Sequence, residues 1–175
     1  MTSFCDSTLS AYAPLLSKIV FSKARYVVVM RNGLPLLLLP LNKHSTALTL
    51  GIYLPQGQKA KLAVAVLKAA NAMGLLRHCL PDVQFLVGER KDRVDGLPFL
   101  QSEIDEGCIG FLLCNPDHGC ARVVAVRDST EPSVVKWTEA AGKFKLAAEI
   151  ATIQVLAERR LPGIPEIVAQ GHTGS

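Results

Sequence analysis

Apolar and polar positions alternate in several distinct rhythms along the chain. Leu9, Tyr12, Leu16 and Ile19 recur at helical spacing, with Pro14 predicting a late start or a break. A β-branched run over 25–30 follows, then Asn32-Gly33, then an apolar run over 34–39. Both central residues of a tight hairpin turn need positive φ, and Asn-Gly meets that need, so the pattern predicts a β-hairpin over 25–39. Pro35 and Pro40 lack an N–H and place the second arm at a sheet edge or make it irregular. Residues 46–54 read as a further short strand, broken by Pro55-Gln56-Gly57.

A helix is predicted over 58–73, with Leu62, Ala65, Val66, Ala69 and Met73 on one face and Gly74 just past its end. Residues 83–87 read as a strand, 88–95 as a charged loop, and 98–106 as a short helix. The rhythm then becomes strand (108–114), turn (115–119), strand (121–127), turn (128–132), strand (133–137). A long helix ending near Arg160 follows, its start between Thr138 and Gly142. The 161–165 stretch, with two prolines and a glycine, stops it, and a last strand begins at 166–169. Turns this short leave no room for crossovers, so the pairing is antiparallel. The expected class is α+β. A sheet of four or five strands in 101–175 packs one long helix, and a smaller hairpin-plus-helix unit in 1–100 precedes it.

The 175 residues are 49% hydrophobic, enough for one sizeable core or two small ones. The longest uninterrupted apolar run is only 34–41, whereas a spanning helix needs roughly 20 residues, so no membrane span is expected. No basic residue precedes Lys18, unlike the start of a secretory signal, and the expected location is cytoplasmic. Cys5, Cys79, Cys108, Cys114 and Cys120 are odd in number and form no CxxC, which predicts small buried hydrophobes in a reducing cytosol. His44, His78, His118 and His172 show no zinc-binding spacing. The formal charge is +4, with Lys59, Lys61 and Lys68 in one group and Arg90, Lys91 and Arg93 in another. No aromatic residues interleave with either group, so both read as solvated faces, and binding of phosphate or RNA through Lys59, Lys61 and Lys68 is the weaker alternative.

The most informative pair is Lys136, flanked by apolar residues late in a strand, and Glu149, thirteen residues on in a helix. Desolvating an ammonium is costly unless it meets an anion. Leu146, Ile150, Ile153 and Leu156 form that helix's apolar stripe, and Glu149 borders it, so the two charges are natural partners. The bland alternative has Lys136 snorkelling from a sheet edge while Glu149 pairs with Lys145 on its own helix.

Over roughly 107–170 the order is strand, turn, strand, turn, strand with lysine, helix with glutamate, then a Pro/Gly exit. This resembles the small N-terminal lobe of kinase-like phosphotransferases, the aminoglycoside phosphotransferase group in particular. Residues 20–76 are similar to the leader ahead of such domains in some bacterial phosphotransferase-like proteins. The resemblance implies that Lys136 holds the α/β-phosphates of ATP, that Glu149 orients it, and that Mg²⁺ accompanies the nucleotide. It also implies that the loop containing Gly119 covers the phosphates, although that loop lacks GxGxxG.

The family's catalytic loop, HxD with an asparagine five positions later, occurs nowhere in the chain, and Asp105-Glu106 precede Lys136 in the wrong order for its acidic metal ligand. The expectation is therefore an N-terminal portion of a phosphotransferase-like protein, truncated or completed by a separate catalytic-lobe chain, not competent alone and prone to self-association. A non-catalytic interaction or regulatory module is the alternative from a different class.

Overall fold

The computed structural model describes Tyr12 and residues 24–85, 110–114, 122–127, 133–138, 143–160 and 163–167. Within them, β1 (Ala24–Arg31) and β2 (Leu34–Pro40) form the expected hairpin. Asn32 (φ 52°) and Gly33 (φ 78°) both take the left-handed conformation that a primed two-residue turn requires. Helix α1 (Lys43–Ile52), α2 (Gln58–Met73) and the short α3 (Leu76–Cys79) precede β3 (Asp82–Phe85). Then come β4 (Gly110–Cys114), β5 (Arg122–Arg127), β6 (Ser133–Thr138) and α4 (Lys143–Glu158).

All six strands join one antiparallel sheet in the order β3-β1-β2-β4-β5-β6. The class is α+β, as expected, with two differences of arrangement. The C-terminal part contributes three described strands where four or five are expected; of the expected last strand, 166–169, residues 166 and 167 are not in a strand and the other two lie outside the described residues. The hairpin is also not a unit apart: Leu37 and Leu38 of β2 pair with Leu112 and Phe111 of β4, so strands from both sides of residue 100 share the sheet. The predicted helices within 1–20 and 98–106 lie outside the described residues, Tyr12 excepted, which is fully buried.

Strand β2 is therefore central and not at an edge, and of the two outcomes its prolines imply it takes the irregular one. The sheet tolerates them because β4 pairs only with the middle of β2. Pro35 lies where the β1–β2 register shifts by one residue, and Pro40 ends the strand. Val27, Leu37 and Leu39 pack with Leu50 of α1 and Leu76 of α3 on one face of the sheet. Tyr26, Val28, Leu38, Phe111 and Leu113 are buried as well, and the strand register puts Val28, Leu38 and Phe111 on the opposite face.

Residues 46–54, expected as a strand, form none: 46–52 are the later part of helix α1, and Tyr53 ends it in an extended conformation. Asn42 caps α1, its side-chain oxygen accepting from the backbone N–H groups of His44 (2.9 Å) and Ser45 (3.2 Å). The residues that face inward are Ser45, Thr46, Thr49 and Leu50, a helical pattern concealed from a hydrophobicity reading because three of the four are polar. Their burial is tolerated because the hydroxyls find carbonyls: Thr46 donates to Pro40 O, and Thr49 to Ser45 O at 2.8 Å. Asn42→Ala is expected to lower stability by about 1 kcal/mol, read as a reduced urea midpoint at unchanged m.

Helix α2 has the predicted bounds, and Gly74 (φ 74°) closes it, its N–H reaching back to Ala70 and Asn71. Asn71 Nδ2 donates to Lys43 O (2.8 Å), and Lys43 Nζ donates to Ala72 O (2.9 Å), which lashes α1 to the end of α2. The stripe read from the sequence is real but faces outward. Val64 and Asn71 are buried and Leu67 and Ala70 pack on the core, while Leu62, Val66 and Met73 are exposed. Cys79 is likewise a free, exposed thiol and not buried, because Leu76 takes the inward position of α3. No described helix is long and apolar enough to cross a membrane.

Candidate functional site

Strand β6 is short, β-branched and last in the described sheet order. Its register fixes which way Lys136 points. Lys136 stands opposite Val124, Val124 opposite Leu112, and Leu112 opposite Leu37. Directly opposed residues share a face, so Lys136 lies on the side of the sheet that also carries α1 over β2, β4 and β5.

Helix α4 approaches that same side. Leu146, Ile150, Ile153 and Leu156 are half-buried, whereas Ala147, Ala148, Ala151 and Val155 are exposed, so the predicted stripe is the inward one. Thr152 donates back to Ala148 O at 2.8 Å, which satisfies its hydroxyl within the helix. Glu149 borders the stripe, and its carboxylate accepts a hydrogen bond from Lys136 Nζ in a strand-to-helix ion pair. The side chains remain 36% and 31% exposed, enough for a ligand to reach the ammonium. A lysine ammonium has three N–H donors, so one spent on Glu149 leaves others for a further anion.

Exposed pairs of this kind contribute roughly 0–1 kcal/mol to stability. The pair's effect is chiefly orientational: Glu149 fixes where an otherwise flexible four-carbon stem delivers its charge. Thr138, two residues further along the same strand face, has a buried hydroxyl oxygen with no hydrogen-bond partner. That residue was not singled out from the sequence, and a lone threonine carries no pattern that would have marked it.

No family model, curated protein or solved structure matches the chain.

Lys136 and Glu149 are thus brought together, and Lys145 is an exposed residue one turn before Glu149. Gly119 and its loop, the third element of the predicted site, lie outside the described residues. Among the described residues no three His, Cys, Asp or Glu side chains converge as metal ligands. The described chemistry is a positioned, partly exposed cation beside a carboxylate, an arrangement able to hold an anionic group.

Proposed function

We propose that the chain is the nucleotide-binding part of a phosphotransferase-like protein, a kinase-like N-terminal lobe that is not catalytically competent alone. The observation that carries this reading is the ion pair between Lys136 on the last strand of a three-strand meander and Glu149 on the helix that follows. In this reading Lys136 contacts the phosphates of ATP and Glu149 is a positioning residue that holds the ammonium in place. The residues present fit a phosphate group, since the ammonium is accessible and has donors to spare. Mg²⁺ would arrive with the nucleotide, and no step here depends on it. The acid, base and metal ligands of phosphoryl transfer would come from a catalytic lobe, supplied by further sequence or by a separate chain.

Calorimetric titration with ATP·Mg²⁺ tests the reading. The wild-type chain is expected to bind, with Lys136→Ala weakening the affinity about tenfold or more, which corresponds to about 1.4 kcal/mol. Glu149→Gln should weaken binding less, because it loosens the ammonium without removing it. Since the pair contributes so little to stability, both variants should unfold near the wild-type midpoint, and a change in binding is then not a change in folding. No binding by the wild type, or equal binding by wild type and Lys136→Ala, would sink the proposal.

A further inference from the structure

Helix α2 carries a surface that the nucleotide reading leaves unused. Its inner side is spent on the fold through Val64, Leu67, Ala70 and Asn71. On the outer side Leu62, Val66, Ala69 and Met73 repeat at i, i+4, i+7 and i+11, a continuous stripe along the helix. Leu62 is 68% exposed, Val66 59% and Met73 64%, and Leu54, in the turn leading into the helix, is 82% exposed. Large aliphatic side chains lined up this way on one element are unlike apolar residues scattered singly over a surface.

Charge narrows what would cover the stripe. Over its 16 residues α2 contains Lys59, Lys61 and Lys68 and no acidic residue. Helical geometry sets Lys59 along one flank of the stripe and Lys61 with Lys68 along the other. We propose that this outer face of α2 is a docking surface for an acidic amphipathic helix of a partner protein. Leucine-like side chains of the partner would cover Leu62, Val66 and Met73, while its flanking carboxylates meet the lysines on either side.

The same pattern argues against other occupants. Two copies of α2 face to face would bring together six lysines (3 + 3) with no carboxylate from either helix. A bilayer-surface helix ordinarily adds aromatic anchors, and α2 has none. An extended polyanion would leave the aliphatic stripe uncovered. The inference is independent of whether Lys136 meets a phosphate, because α2 and the Lys136–Glu149 pair share no residue.

The test uses the whole chain and a labelled synthetic probe, an 18-residue helical peptide with a leucine stripe flanked by glutamates, read by fluorescence anisotropy. The wild type is expected to bind, more weakly as salt rises. The double variant Leu62→Ser/Val66→Ser should lose about tenfold or more in affinity. Both positions are exposed, so circular dichroism and the ATP titration should be unchanged. Lys61→Glu/Lys68→Glu should release the glutamate peptide and take up a version flanked by lysines. Failure of the wild type to bind the glutamate peptide, or binding that survives the serine substitutions, overturns the proposal. So would binding to phosphatidylserine vesicles, or concentration-dependent dimerisation in sedimentation, in place of peptide binding; a serine-sensitive signal of either kind would reassign the stripe to a bilayer or a second copy.

Discussion

Phe111→Ala is expected to cost about 3–5 kcal/mol, the largest stability loss of any substitution considered for this chain. Phe111 is 1% exposed in β4, directly opposite Leu38 of β2, and its ring lies 5.5 Å from that of Tyr26 at a tilt of 54°. Truncation forfeits the transfer energy of the ring and the tilted aromatic contact, and leaves a cavity that rigid neighbouring strands cannot close. Leu38, the fully buried cross-strand neighbour of Phe111, and Tyr26, whose ring Phe111 meets, would line that cavity. Phe111→Leu should recover a good part of the loss by refilling the volume. Urea unfolding of the three proteins decides the matter. A Phe111→Ala midpoint within error of the wild type would mean that β4 does not carry the junction between hairpin and meander.

The second large effect comes from adding an atom instead of removing several. Gly110 begins β4 directly under α1, so close that a Cβ there would lie 1.8 Å from Thr49 Oγ1 and 2.7 Å from both Thr49 Cβ and Cγ2. Thr49 cannot rotate away without cost, because its hydroxyl is buried and bonded to Ser45 O. Gly110→Ala is therefore expected to cost about 3 kcal/mol or more, the upper end for overpacking. A double-mutant cycle tests the cause. Thr49→Ala in the Gly110→Ala background should restore only part of the stability, since it removes Oγ1 and Cγ2 but leaves the 2.7 Å approach to Cβ. Additive losses from the two substitutions would show that the contact is not what makes Gly110 necessary.

Position 110 also marks a limit of reading the sequence. In the chain it is one glycine among 13, without the positive φ or turn neighbours that identify a glycine's purpose. Its need for a missing side chain exists only once α1 lies across β4. Helix α1 is hard to read from the sequence for a related reason. Its inward residues Ser45, Thr46 and Thr49 are polar and partly β-branched, and the bonds of the two threonine hydroxyls to Pro40 O and Ser45 O suit them to a buried helix face. Asn42 was the available signal, an N-cap residue directly before the helix. The Lys136–Glu149 contact was legible because both residues broke an otherwise apolar pattern on adjacent elements, so each needed a partner that the other provided.

Local chemistry by itself determined the hairpin turn at Asn32 and Gly33, the bounds of α2 with its Gly74 stop, and the antiparallel meander of β4–β6. Each depends on backbone conformations or short connections that neighbouring residues dictate. What lies next to what across long stretches of chain was decided only by the tertiary structure. The pairing of β2 with β4 across more than 70 residues, which merges two expected units into one sheet, has no local signature. Nor does the choice of which side of α2 is buried. Both sides carry aliphatic residues, and periodicity identifies a stripe without saying which way it faces. That choice was made by the sheet beneath, where Leu67 and Ala70 fit against the core and Leu62, Val66 and Met73 were left outside.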